Sequence, residues 1–196
     1  MPSFKDFDEV AASYGQKPSS DWFRPKEENS KIHILSEYEP VGKHWDNIKR
    51  RSSICIGKER GCPMCLAGDK PNAYYRMWVI DRKDGEIKPA ELPYGIMKQI
   101  KDLQKNPEYE FDSIPPFDIT IIRTVKKIAG GQERIEYSVQ ASRQNVNLTL
   151  EEQEAYADKK PMCDIIQMEK DKLIKVISPS SVDTSELPPD SEQIKL

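Results

Sequence analysis

Apolar and polar positions alternate with period two along most of the readable stretches of this chain, which predicts a strand-rich body. Ile32, Ile34 and Tyr38 share one face of a strand over 31–38, which Pro40 and Gly42 are expected to end. A short strand through Ile54-Cys55-Ile56 follows, then a strongly β-prone run over 74–80. Asp84-Gly85 is a hairpin turn signal, with the returning strand over 86–92. A second hairpin runs over 117–125, turns at Gly130-Gly131 and returns over 135–139, with Tyr137 expected in the core beside Ile135 and Val139.

Helical period breaks this pattern in four places. Ile96, Met97, Ile100 and Leu103 form a stripe that Asn106-Pro107 stops. Thr149 and Glu152 have the spacing of a capping box and start a short helix to about Asp158. A second helix is expected over 161–176. In the N-terminal arm, 1–20, Phe4, Phe7, Val10 and Tyr14 fall on one helical face before a Lys17-Pro18-Ser19-Ser20 linker. The expected architecture is mainly β: a Greek-key barrel of the oligonucleotide-binding type over 21–148, with a β-sandwich as the alternative. A helical segment over 149–176 follows. Residues 177–196, rich in Ser, Pro, Asp and Glu, read as a disordered tail.

Composition limits the core. Only 37% of residues are hydrophobic, 32% are charged, and the mean hydropathy is -0.73. A body this poor in apolar side chains gains from a metal clip, and the sequence offers one over 43–70. His44, Cys55 and Cys62-Pro63-Met64-Cys65 place one imidazole and three thiols within 22 residues. Two cysteines separated by two residues on a tight turn reach one tetrahedral ion, and Gly61 and Pro63 supply the turn. Zn2+ in a structural role fits this donor set. His44 is the least secure ligand and Cys163 the substitute. Cysteines in this arrangement, without a signal-peptide pattern or a membrane span, point to a reducing cytoplasm.

Catalysis at such a zinc is not expected. A catalytic ion keeps a position open for water, whereas four ligands fill the tetrahedron. The nucleobase deaminase pattern needs Glu two residues after the histidine, and here that position is Asp46. No phosphate-binding glycine loop, dinucleotide fingerprint or nucleophile elbow occurs.

Charge distribution changes the picture more than its total. The net charge is -3, but 43–60 carries six basic and two acidic residues, while 151–196 carries six basic and eleven acidic ones. Aromatic rings interleave with the basic positions. Trp45 lies beside Lys43, Lys49, Arg50 and Arg51, and alternation puts Tyr74, Arg76 and Trp78 on one strand face. Arg82 extends that strand, and Lys126 and Lys127 lie near the tip of the later hairpin. Rings that stack bases and cations that track phosphates are what single-stranded nucleic acid requires. His33 alternates away from Ile32 and Ile34, toward solvent or an edge, and Cys163 reads as a lightly buried free thiol.

In these residues the chain resembles the zinc-containing single-stranded-DNA-binding proteins of tailed bacteriophages. Their zinc ligands run His, Cys, then Cys-x-x-Cys, as His44, Cys55, Cys62 and Cys65 do here. The flanks over 31–35, 75–81, 117–123, 137–139 and 148–152 also look similar, so the likeness spans roughly 22–155. It implies an oligonucleotide-binding fold with a zinc subdomain. It further implies non-enzymatic, sequence-nonspecific coating of single-stranded DNA in phage replication, recombination and repair, inside the host cytoplasm. It also implies an acidic C-terminal tail that recruits replication and recombination proteins. The family's basic N-terminal arm has no match, since 1–20 holds two basic and three acidic residues. A zinc-stabilised interaction or accessory factor, and an RNA binder, are the alternative readings.

Overall fold

A computed structural model describes residues 22–47, 50–109, 111–128, 131 and 133–177. The expected N-terminal helix and linker, Lys49, the Gly130 half of the second turn and the tail beyond Ile177 lie outside the described residues.

The fold is mainly β, as the alternation predicts. Seven strands form one antiparallel sheet: β1 (Asn29–Ile34), β2 (Glu39–Asp46), β3 (Arg51–Ile54), β4 (Asn72–Asp81), β5 (Ile87–Pro93), β6 (Phe117–Lys127) and β7 (Glu133–Asn145). Helix α1 (Pro63–Leu66) lies between β3 and β4, and α2 (Tyr94–Gln104) between β5 and β6. Helices α3 (Leu150–Ala157) and α4 (Met162–Ile177) end the described chain.

The order is β3-β2-β4-β1-β6-β7, with β5 pairing β4 on its other edge. No pairing among the described residues joins β7 to β3 or to β5, so the sheet is open and not the closed Greek-key barrel expected. Long β4 organises it. One edge pairs β5 from Tyr74 to Ile80, while the other takes β2 along Asn72–Arg76 and β1 along Val79–Asp81. Between β1 and β2 the chain stays on that edge of β4 through an irregular step. There Leu35 donates its N–H to the Trp78 carbonyl, and the Ser36 hydroxyl accepts from the Trp78 N–H, each at 2.9 Å.

Strand β2 is the element that sequence reasoning missed. Pro40 and Gly42 look like breakers, but Pro40 needs no donor at its position, and Gly42 answers a steric demand. A Cβ on Gly42 would lie 3.0 Å from the Pro71 Cβ and 3.3 Å from the Cys55 Cβ. Glycine is required there because backbone and metal loop come that close.

Two cores lie on opposite faces of β4. Met77 and Val79 join Ile32, Ile34, Leu92, Ile119 and Ile121 beneath α2, whose Ile96, Met97 and Ile100 are buried as the stripe predicts. Trp78 and Ile80 join Leu35, Val41 and Ile54 on the other face, beneath Met162 and Ile166 of α4. The Thr149–Glu152 capping box forms as read, with Glu152 N–H donating to Thr149 Oγ1 at 3.2 Å. Tyr137 and Val139 pack against the first core, but Ile135 is 47% exposed and does not. Tyr38 lies outside β1 and stacks edge-on against Tyr75 at 5.3 Å.

His33 is the clearest departure within the sheet. It is buried and shares Asp118 with Lys31 and Arg82, at 3.0, 3.1 and 3.1 Å. Burial outweighs the Asp118 contact and pulls the imidazole below its usual pKa of 6.5. Burial alone would raise Asp118, but hydrogen bonds from Lys31 and Arg82 hold it below the usual carboxylate range.

Candidate metal centre and nucleic-acid interface

The β2–β3 hairpin and the loop after it bring His44, Cys55, Cys62 and Cys65 together, with their donor atoms all within 4.8 Å of one another. His44 comes from β2 and is 1% exposed. Cys55 follows β3 directly, its N–H donating to the Gly42 carbonyl at 2.7 Å. Gly57 and Gly61 adopt φ of 92° and 75°, and the Cys62 N–H closes the turn on the Gly57 carbonyl at 3.0 Å. Pro63 then occupies the first position of α1, where its missing N–H costs nothing, and the helix turns Cys65 back toward the cluster.

The distances suit one tetrahedral ion. Cys55 lies 3.4 Å from Cys65 and 4.0 Å from Cys62, and the His44 Nε2 lies 3.3 Å from the Cys65 Sγ. Zn–S bonds of roughly 2.3 Å in a tetrahedron put neighbouring sulfurs about 3.8 Å apart. The set could therefore hold a metal ion, and its soft donors are compatible with zinc. Left to themselves the thiols share protons: hydrogen bonding to Cys55, then burial, pushes Cys65 up to about 12. A divalent cation reverses that preference by stabilising thiolates. Asp69 Oδ2 accepts from His44 Nδ1 at 2.7 Å, which fixes the tautomer with Nε2 facing the cluster. Asp69 was not anticipated, although an acidic residue four positions past Cys65 is a readable signal. Cys163 is exposed on α4 and outside the group, so His44 is the fourth member.

The expected nucleic-acid residues separate into those the fold gathers and those it does not. Lys43 and Tyr74 line an open groove of about 580 Å³ together with Arg24, Lys26, Ser52, Glu91, Arg123, Ile135 and Tyr137. Trp45 sits two residues beyond Lys43 and directly opposite Ser52 in the hairpin, so it shares their face at the end of the groove, 52% exposed. Lys43 stands 5.3 Å over the Tyr74 ring and pairs with Glu91 at 2.5 Å. Arg76 also pairs with Glu91, at 2.9 Å, so the groove's carboxylate faces two cations.

Other expected contacts are placed elsewhere. Trp78 is 8% exposed beneath α4, its indole N–H donating to the Lys160 carbonyl at 3.0 Å. Arg76 is buried between Glu91, Glu169 and the Trp22 ring. Alternation set their face correctly; α4 covers it. Arg82 is held by Asp118 and Glu152. Arg50 and Arg51 are exposed in the β2–β3 hairpin, while Lys126 and Lys127 are exposed at the far end of β6, Lys126 pairing with Glu136.

Arg24, Lys26, Arg123 and Tyr137 were not anticipated in this role. Tyr137 stands opposite Arg123 in the β6–β7 register, which hairpin counting from Gly130-Gly131 could have paired. Arg24 and Lys26 carry no local signal. They are brought to the groove by buried Phe23, which bridges Ala90 and donates its N–H to the Pro89 carbonyl at 2.8 Å.

Comparisons with family models, with curated proteins and with solved structures found no match to this chain. No helix among the described residues is long and apolar enough to cross a membrane.

Proposed function

We propose that this protein binds single-stranded DNA without sequence preference, as a non-enzymatic coating protein, with a structural zinc holding one wall of its groove. The carrying observation is the groove itself: Arg24, Lys26, Lys43 and Arg123 gathered with Tyr74 and Tyr137, and Trp45 at its end. Cations track phosphates and rings stack bases without reading them, at roughly 1–3 kcal/mol per stacked base. Zinc in this reading carries no chemistry. It would be held by His44, Cys55, Cys62 and Cys65, and would fix the hairpin that presents Lys43 and Trp45. Among the described residues, that hairpin and the loop after it bury the apolar side chains of Val41, Ile54, Ile56 and Cys62, a small apolar surface with which to set their position.

The resemblance to phage single-stranded-DNA-binding proteins agrees with this reading through the same ligand set. It extends it to replication, recombination and repair in a host cytoplasm, with the acidic tail meeting partner proteins. The test is a tryptophan-fluorescence titration with oligo-dT and oligo-U of equal length at rising salt. Quenching by oligo-dT, with affinity falling linearly in log salt, is expected. Stronger binding to oligo-U assigns the groove to RNA. No binding to either at low salt leaves the accessory-factor reading in its place.

A further inference from the structure

A second cavity, of about 230 Å³, opens between α2, the β1–β2 link and the segment before β6. It shares no lining residue with the basic groove, and adjacent residues of β4 divide between them: Tyr74 lines the groove and Tyr75 the cavity. Buried Met77, Met97 and Ile100 meet the half-exposed rings of Tyr38 and Tyr94 there. Lys98 and Lys101 are exposed beside it, and no carboxylate among the described residues lines it.

Two polar side chains of the cavity are engaged with the protein itself. Ser36 donates to the Glu37 carbonyl and accepts from Trp78, and Gln104 donates to the carbonyls of Phe111 and Asp112. The fitting ligand is apolar, asks for few hydrogen bonds and carries negative charge on its flanks. Proline-containing segments dock in aromatic-lined grooves on those terms, because proline has no N–H and its extended conformation is preformed.

Such a segment occurs in this chain. Glu186-Leu187-Pro188-Pro189-Asp190 sets an apolar centre between two acids, within a stretch (178–196) that carries four acidic residues and one basic one. We infer that the cavity between α2 and the β1–β2 link is the docking site for this segment of the chain's own tail, with Leu187 and the prolines against the tyrosines and the flanking acids toward Lys98 and Lys101. Helix α4 lies on one face of β4, where Glu169 pairs with Arg76, and Met77 lines the cavity on the other. Ten residues from Ile177 to Leu187 span up to roughly 33 Å, and the route between the two faces runs round a sheet edge.

The inference does not depend on DNA binding, and its test uses none. Isotope-labelled full-length protein is compared by NMR with a synthetic peptide of residues 178–196. Tail signals around Leu187 are expected to differ from those of the free peptide, independently of protein concentration, with matching shifts at Met77 and Met97. Leu187→Ser, and separately Lys98→Glu with Lys101→Glu on the exposed face of α2, should return them to the free positions, lowering the bound fraction about tenfold. Tail signals that superimpose on the free peptide would overturn the inference. So would shifts confined to Tyr74 and Tyr137, or a perturbation that fades on dilution and so belongs to a second copy.

Discussion

Tyr74 and Trp78 occupy the same face of the same strand, four residues apart, with opposite surroundings. Tyr74 opens onto a basic groove beside the β2–β3 hairpin, while Trp78 lies beneath α4 with its indole N–H on the Lys160 carbonyl. Arg76 marks the boundary, tied to Glu91 on the groove side and to Glu169 of the helix on the other. Alternation alone therefore says which residues share a face but not what lies over it. At one end the face is left open to solvent, and at the other it serves the fold.

The largest effect should separate the hairpin from the body. With the proposed zinc bound, its removal by chelation, or Cys62→Ser, should cost on the order of 4 kcal/mol at the hairpin and remove oligo-dT binding. Denaturation followed by near-ultraviolet circular dichroism and by metal release reports both. Next comes the contrast within β4. Trp78→Ala should destabilise by about 3–5 kcal/mol while protein that remains folded keeps its DNA affinity. Tyr74→Ala or Trp45→Ala should do the reverse, losing roughly 1–3 kcal/mol of binding with a smaller change in stability. If Trp78→Ala lowers affinity as much as Tyr74→Ala does, the division of the face is wrong.

Smaller effects sharpen the electrostatic side. Arg123→Ala should reduce the salt slope of binding by about 0.7, the value for one phosphate contact on a single strand. Acidification should weaken the fold in two stages. His33 has a folded pKa below 6.5, so the unfolded chain takes up a proton first and stability falls as pH drops below that value. Asp118 is also held below its usual range, so its contribution is present above about 3.8 and is lost as pH falls through its lower folded value. A melting-temperature profile of His33→Gln should lose the first stage and keep the second. Smallest of all, Glu169→Gln should cost less than about 1 kcal/mol, since its carboxylate is partly exposed.

Much of the fold was legible because local rules decided it. The Asp84-Gly85 hairpin, the α2 stripe and the Thr149–Glu152 capping box each rest on residues close in sequence, and each formed as read. The metal cluster was legible for the same reason, its ligands lying on one hairpin and one knuckle. What could not be read depended on distant chain segments. Gly42 looked like a terminator because its reason, the close approach of Pro71 and Cys55, is set by the folded loop. His33 looked peripheral because Asp118 lies 85 residues away. The groove was half legible: Lys43, Trp45 and Tyr74 were found, but Arg24 and Lys26 arrive through the docking of Phe23 on β5.

The central claim is that single-stranded DNA lies in the groove at the Tyr74 end of that face. Photocrosslinking of a bromouracil-substituted oligo-dT to the full-length protein, with the linked peptides sequenced, tests it most directly. Adducts on Trp45, Tyr74 and Tyr137 are the expected result. Adducts confined to Tyr38 and Tyr94 on the opposite cavity, or none at low salt, would contradict it.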